Sequence, residues 1–205
     1  FVIENVRGFL TTECTDVDGV NKPIRQAIEN NLAGNYNIAH QVMNFKDYGN
    51  NSSRTRTVVV GTRKDVEEIA PFELLPSRKD APSLRELIGE LPRLTTMGEI
   101  SKNDIYHSFR PYDKRMYDWV ANLNEGESAF DNKLPEHRPH KIVDGKIVEN
   151  QRKNGDKYRK CLWDKVAPCV HTRNDILASQ STIHPEDPRV FSIRELMRFM
   201  GIPET

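Results

Sequence analysis

The first sixty positions hold three short apolar runs separated by polar segments, a pattern typical of buried strands. Residues 1–6 open with Phe-Val-Ile, and residues 36–45 alternate apolar with polar side chains. Residues 57–60 form a β-branched run that ends at Gly61, where we expect the strand to close. Because the first run is almost continuously apolar, we expect it in the middle of an α/β sheet.

A helix is predicted between the first two strands, after a polar loop at residues 11–18. The apolar positions recur there at helical spacing, at Ile24, Ala27, Ile28 and Leu32. Pro23 stands in the first turn, and Gly34 is expected to end the helix in the left-handed conformation. Strand, helix, strand and strand together predict half of an α/β sheet.

Beyond residue 62 the apolar pattern becomes helical. Two capping boxes, Ser83 with Glu86 and Ser192 with Glu195, mark predicted helix starts. The predicted inward faces are Leu84, Leu87, Ile88 and Leu91 in one helix, Tyr112, Met116, Trp119, Val120 and Leu123 in a second, and Leu196, Phe199 and Met200 in a third. Gly201 is placed to end the third helix.

Between these helices, residues 124–164 are loop-rich, with a hairpin turn predicted at Asp144-Gly145. Residues 138–173 carry ten Lys or Arg against four Asp or Glu, although the 205-residue chain has 30 of each. A basic segment in a neutral chain is a candidate phosphate-facing surface, the alternative being a solvated loop. The length allows one sizeable core, or one lobe plus a smaller one.

The three cysteines, Cys14, Cys161 and Cys169, form no C-x-x-C pair. Their number and spacing argue against a disulfide framework and a structural zinc site, and no histidine pair has metal-binding helical spacing, so no metal is expected. Without an apolar run near 18 residues or a signal peptide, we expect an intracellular, soluble protein and no membrane partner. Because the chain begins inside a strand pattern, we expect a piece of a longer protein.

Two segments near the start resemble a known family. Glu4-Asn5-Val6, followed by Arg-Gly-Phe-Leu, is similar to the ENV motif of DNA (cytosine-5) methyltransferases. Asp47-Tyr-Gly, then Arg54-Thr-Arg56 before a strand, is similar to their Q-x-R-x-R block, with Ser52 in the position of the glutamine. Two arginines at i and i+2 point the same way on a strand and suit a phosphate or a carboxylate.

The end of the chain resembles the same family. Residues 189–204 are similar to its R-x-L-T-x-R-E-x-A-R-x-x-G-F-P-D block nearly position for position, and residues 163–172 to the segment before it. That block is mainly structural in the family, so Arg194 and Glu195 are expected to organise the fold through ion pairs. Together the matches span residues 4–204 and resemble the C-terminal part of such an enzyme.

The resemblance implies an α/β fold: the C-terminal part of a Rossmann-like methyltransferase sheet, plus a loop-rich mixed α+β target recognition region. It assigns residues 1–62 to the catalytic lobe, 63–185 to target recognition, and 186–205 to a helix that links back to the catalytic lobe. The family's nucleophilic cysteine and S-adenosylmethionine turn have no counterpart here. A missing N-terminal lobe or subunit is expected to supply both. The implied substrate is double-stranded DNA, and the implied location is the cytoplasm, associated with the nucleoid.

In the implied reaction a thiolate attacks C6 of a flipped-out cytosine while a carboxyl group hydrogen-bonds N3. Glu4 is the candidate carboxyl, with its protonated form favoured by apolar neighbours, and Asn5 is expected to hold local backbone groups. Arg56 is the candidate for contacting the flipped base or its phosphate, and Arg54 for holding the neighbouring backbone or an acidic partner. The candidates for further DNA contacts are Ser52, Arg152, Lys153, Lys157, Arg159, Lys160 and Arg173.

Two other interpretations stay open. The chain could be a non-catalytic DNA-binding or targeting subunit with a methyltransferase-like fold, in which case Gln would serve at position 4. It could also be a protein-interaction module whose sheet only docks on a partner, which predicts no affinity for DNA.

Overall fold

The computed structural model describes residues 1–66, 69–150 and 155–204, and the chain forms two compact units, Phe1–Ala81 and Pro82–Thr205. The first unit contains strands β1 Val2–Asn5, β2 Glu13–Thr15 and β3 Asn21–Pro23, helix α1 Ile24–Leu32, and strands β4 Tyr36–Asn44 and β5 Thr55–Arg63. The second unit contains α2 Leu84–Ile88, β6 Ile100–Ser101, β7 Asp104–Ser108, α3 Tyr117–Val120, β8 His140–Val143, β9 Lys146–Glu149 and α4 Ile193–Phe199. No helix among the described residues is long and apolar enough to cross a membrane.

The three predicted strands of the first unit form one sheet in the order β1-β5-β4. Both pairings are antiparallel, so the described strands show none of the parallel pairing that a doubly wound sheet contains. β5 is central and its residues Val58–Val60 are buried, whereas β1 pairs with β5 alone and Val2 is 67% exposed. The expectation that residues 1–6 are buried is therefore wrong for the described structure, because apolar content does not distinguish an edge strand from a central one.

The sequence predicted that Gly61 closes the third strand. This prediction is wrong, because Gly61 lies inside β5. The ring of Phe1 covers it so closely that any Cβ at this position would collide with the ring. On the other face of the sheet, Met43, Val58 and Val60 form a small apolar core. Phe45, Tyr48 and Leu75 pack against that core.

Helix α1 is confirmed, and the four apolar residues expected on its inner face are its only partly buried positions. Gly34 is not left-handed, so that expectation is wrong: the chain leaves the helix through a right-handed turn in which the Asn35 N–H donates to the Leu32 carbonyl. The loop expected at residues 11–18 instead begins the β2–β3 hairpin. Lys22 lies buried there, 2.9 Å from Asp16 and 2.5 Å from Asp18.

The predicted helix starts of the second unit are confirmed. Ser83 and Glu86 exchange both capping-box bonds at the start of α2, and Ser192 and Glu195 do so at the start of α4. The helix predicted over residues 112–123 shortens to α3 and a preceding 3₁₀ turn, Lys114–Met116. Its apolar side still faces inward, with Trp119, Val120 and Leu123 buried in the larger core of this unit.

The Asp144-Gly145 turn is confirmed. Asp144 has φ 49° and Gly145 has φ 73°, so both take the left-handed values that a two-residue hairpin turn requires. β8 and β9 pair in register across it, from His140 opposite Glu149 to Val143 opposite Lys146. Apart from His140, which is partly buried at the base, the ribbon residues are exposed on both faces.

Helix α4 ends as a left-handed cap with Gly201 at φ 69°, and the Ile202 N–H donates to the Met197 carbonyl at 3.0 Å. Phe199 is fully buried as expected. Met200 is 59% exposed, so its inward placement was wrong: it lies beyond the last helical residue, where the helical period no longer sets direction.

A buried ion pair organises the residues around α4. Arg189 donates to both carboxylate oxygens of Glu195, at 2.8 and 2.9 Å. Arg189, Glu195 and the N-cap residue Ser192 are all almost fully buried. The Ser192 hydroxyl lies 2.9 Å from Nδ1 of His107, whose Nε2 lies 2.7 Å from the Pro92 carbonyl. The carbonyl can only accept, so Nε2 donates to it, and in the Nε2-protonated neutral ring Nδ1 accepts from the hydroxyl.

Candidate active site

The strand register brings Glu4 and Arg56 together. Glu4 pairs with Val58, and paired residues of antiparallel strands share a face, so Glu4 lies on the face that also carries Arg56. Nε of Arg56 is 3.0 Å from Oε1 of Glu4, and Nε of Arg54 is 4.0 Å from the same oxygen. The expected arginine fork is present, and it faces the carboxylate of the ENV-like segment.

The surroundings of Glu4 differ from the sequence expectation. Its side chain is 46% exposed and ion-paired, and the neighbours Val2 and Val6 are 67% and 58% exposed, so the expected apolar flank is absent from the described structure. Exposed ion pairs contribute about 0–1 kcal/mol to stability. The Glu4–Arg56 pair therefore orients the two side chains more than it stabilises the fold. Arg56 is the more buried partner, and its Nη1 donates to the Thr55 carbonyl at 2.7 Å.

Side-chain hydrogen bonds shape the backbone around this pair. Asn5 accepts the Val6 N–H at 2.8 Å, which is the local backbone role expected of it. Thr57, beside Arg56, donates its hydroxyl to the Arg7 carbonyl at 3.0 Å. The sequence marked Thr57 only as part of a β-branched run, because a strand pattern does not reveal which hydroxyls are bonded.

The loop before β5 is also built by hydrogen bonds. Asn50 donates to the Ser52 carbonyl at 2.7 Å and lies 3.2 Å from its hydroxyl. Asn44 donates to the hydroxyls of Ser53 and Thr55 at 2.9 and 3.3 Å. Ser52 is only 6% exposed, so in this structure its hydroxyl supports the loop and does not lie on the surface.

The basic candidates of the second unit divide by exposure. Lys160 is 3% exposed, its ammonium donates to the Glu186 carbonyl at 2.8 Å, and burial lowers its pKa. Arg159 donates to the backbone carbonyls of Gly155 and Gly126 and so stabilises the loops that contain them. Lys157 and Arg173 are exposed, and Arg152 and Lys153 lie outside the described residues.

Cys161 is not poised as a nucleophile, and the described residues form no metal cluster. The three cysteines form no disulfide with one another and are partly buried, and burial raises the pKa of Cys161 to about 12, so its thiol stays protonated. No cluster of three or more His, Cys, Asp or Glu side chains among residues 1–66, 69–150 and 155–204 could hold a metal ion.

The first unit has an open cleft. It has a volume of about 390 Å³ and is lined by Gly34, Asn35, Tyr36, Arg63, Lys64 and Asp65. Nucleoside sites of dinucleotide folds use a free carboxylate on the ribose, but here Arg63 binds both carboxylate oxygens of Asp65, at 2.8 and 2.5 Å. Asp65 is therefore not presented in this cleft as a free carboxylate for a ribose.

The whole chain, residues 1–205, matches the family model described as C-5 cytosine-specific DNA methylase. It is 30% identical to Type II methyltransferase M1.HgaI of Avibacterium volantium, over 99% of this chain and 56% of that protein. It is 32% identical to Type II methyltransferase M.MthTI of Methanothermobacter thermautotrophicus, over 82% of this chain and 46% of that protein. The chain thus spans about half the length of these relatives.

A solved structure has a similar fold. It is described as a DNA modification methyltransferase encoded within a prophage of E. coli, and it matches with a TM-score of 0.60 at 17% identity. The match covers 97% of this chain and 57% of that one. At this identity the likeness concerns the fold.

Proposed function

Because the chain belongs to the family of C-5 cytosine-specific DNA methylases, we propose that it is the part of a DNA (cytosine-5) methyltransferase that presents an acid to the target base. The observation that carries the proposal is the Glu4–Arg56 pair, placed on one sheet face by the register of β1 and β5. The nucleophilic cysteine and the site for S-adenosylmethionine, which supplies the methyl group, belong to a lobe outside these 205 residues. The fit of this chain to about half of its relatives' length supports that division.

Cytosine C5 is unreactive until the ring gains electrons. Attack of a thiolate at C6 pushes an electron pair toward N3, and a carboxyl group hydrogen-bonded to N3 stabilises the charge by sharing or donating a proton. Glu4 fills this role in the proposal. Arg56 holds Oε1 of Glu4, which orients the carboxyl group and leaves the guanidinium beside the base or its phosphate.

The base must leave the duplex to reach Glu4, at a cost of a few kcal/mol of unstacking. In the proposal Arg54 binds the neighbouring DNA backbone or the carboxylate of Glu4. The exposed Lys157 and Arg173 contact DNA phosphates, and Arg152 and Lys153 remain candidates by sequence. Double-stranded DNA is the substrate, and the enzyme works at the nucleoid.

The test is Glu4→Gln, which keeps the shape and the hydrogen-bonding length of the side chain but removes the acid. In the complete enzyme with S-adenosylmethionine we expect single-turnover methyl transfer to fall by at least about a hundredfold, within the usual range for a general acid–base group. DNA affinity should stay nearly constant, because the loss belongs to the transition state.

The matched control is Glu13→Gln on β2, whose carboxylate accepts from the exposed side chain of Asn21. We expect the control to transfer methyl groups at the parental rate. Transfer by Glu4→Gln within a few-fold of the parent would contradict the proposal and favour a non-catalytic DNA-targeting subunit.

A further inference from the structure

Thr57 lies beside Arg56 on β5 and is almost fully buried, with 1% of its surface exposed. Its side chain points to the sheet face opposite Glu4 and Arg56, since neighbouring strand residues alternate. Its hydroxyl donates a 3.0 Å hydrogen bond to the backbone carbonyl of Arg7, fifty residues away in sequence. Thr57 therefore contacts neither member of the ion pair but holds the chain that leads away from Glu4.

The position of this bond matters because pairing of β1 with β5 ends at Asn5, opposite Thr57. The chain then turns: the Asn5 side chain accepts the Val6 N–H, and the Phe9 N–H donates to the Val6 carbonyl at 2.9 Å. Those two bonds are local to the turn. The bond from Thr57 to Arg7 links the turn to β5, the strand that carries Arg56.

We propose that Thr57 is a positioning residue for the carboxyl group of Glu4, an inference that rests on the proposed function. Without the hydroxyl, the Arg7 carbonyl loses its donor and the end of β1 can shift along β5. Glu4 would then move relative to both Arg56 and the cytosine. A misplacement of about 1 Å in a reacting group can cost about a hundredfold in rate, so a loss of at least about tenfold is expected.

The experiment compares Thr57→Val, which keeps the shape but removes the hydroxyl, with Thr57→Ser, which keeps the hydroxyl. In the complete enzyme, Thr57→Val should lower kcat at least about tenfold with KM for DNA within about twofold, and Thr57→Ser should restore most of kcat. The matched control is Thr62→Val on the same strand, because the Thr62 hydroxyl also donates to a carbonyl, that of Ile69, at 2.8 Å. It should leave kcat unchanged.

A double-mutant cycle with Glu4→Gln shows whether Thr57 acts through the acid. If it does, the double variant is no slower than Glu4→Gln alone. Multiplied losses, or a Thr57→Val enzyme that melts lower but keeps its kcat, would overturn the inference while the function of Glu4 stands. Full activity of Glu4→Gln would instead overturn the proposed function, and this inference with it. Thr57→Ala provides a second hydroxyl-free variant should Thr57→Val fail to fold.

Discussion

At the start of α4, two buried charged side chains are matched to each other. Two hydrogen bonds of 2.8 and 2.9 Å join Glu195 and Arg189 at about 1% exposure. The sequence marked Glu195 and Arg194 as fold-organising residues. It did not reveal that Arg189 is the partner of Glu195, or that Arg194 binds Asp104, ninety positions away.

Removing the charge of Glu195 should be costly. Glu195→Gln removes one of the two buried carboxylates, Glu195 and Asp187, that pair with the guanidinium of Arg189. Breaking a buried pair destabilises proteins by about 3–5 kcal/mol. Urea denaturation of the free chain measures the loss. Glu204→Gln, which alters an exposed ion pair to Arg198, should change the free energy of unfolding by less than about 1 kcal/mol. Equal effects of the two variants would show that the buried pair is not the stronger one.

His184 should make stability depend on pH. Burial lowers its pKa from 6.5 to about 4, against the opposing attraction of Glu195. Its Nδ1 accepts the backbone N–H groups of Glu186 and Asp187, at 3.2 and 3.0 Å, as only an unprotonated Nδ1 can. The folded state thus resists a proton that the unfolded chain takes up.

The contribution of neutral His184 to the free energy of unfolding is therefore fully present above about pH 6.5. It is lost as the pH falls towards 4, by up to about 1.4 kcal/mol per pH unit. Unfolding free energies measured between pH 7 and 5 should decline in the parent and decline less in His184→Asn. Parallel curves for the two proteins would rule out this role.

At the scale of elements, most local signals predicted the structure correctly, with the cap expected at Gly34 an exception, whereas strand pairing was not predicted. The capping boxes and the Asp144-Gly145 turn involve residues within four positions, so the sequence predicted them correctly. Strand direction and order depend on partners far along the chain. A β-branched run has the same pattern whether the strand pairs in a parallel or an antiparallel direction. The same limit hid the Thr57–Arg7 bond and the burial of Lys160.

The two capping boxes should differ in strength because their surroundings differ. Ser192 is fully buried and its hydroxyl also serves His107, whereas Ser83 caps a more exposed helix start. We expect Ser83→Ala to cost about 1 kcal/mol and Ser192→Ala about 2–3 kcal/mol, since the latter also leaves a buried histidine nitrogen unsatisfied. Thermal unfolding ranks them; a larger effect at Ser83 would contradict the structural assignment.

For the whole molecule, the compact units meet in sequence between Ala81 and Pro82, whereas the family resemblance divides the chain at residues 62/63 and 185/186. The first unit carries the Glu4–Arg56 pair and the second carries the exposed basic candidates. The neutral total charge does not reveal this distribution, because acidic and basic side chains cancel over the full length.

DNA affinity of the complete enzyme should depend steeply on salt, since neutralised phosphates release counterions. Lys157→Ala combined with Arg173→Ala should reduce the slope of log K against log salt by roughly two, one for each phosphate contact. Fluorescence anisotropy with a labelled duplex measures the slope. Lys64→Ala, whose ammonium donates to the Ala33 carbonyl in the first unit, is the control. An unchanged slope in the double variant would remove both residues from the interface.

The β8–β9 ribbon, exposed on both faces and closed by Asp144-Gly145, makes a site for an optical probe. Lys146→Cys would place a thiol in open solvent beside the turn. The native Cys161, protonated because burial raises its pKa to about 12, would react slowly by comparison at neutral pH. A maleimide dye attached to the cysteine at position 146 would report how close the β8–β9 ribbon comes to a labelled duplex. The dye would not disturb either apolar core.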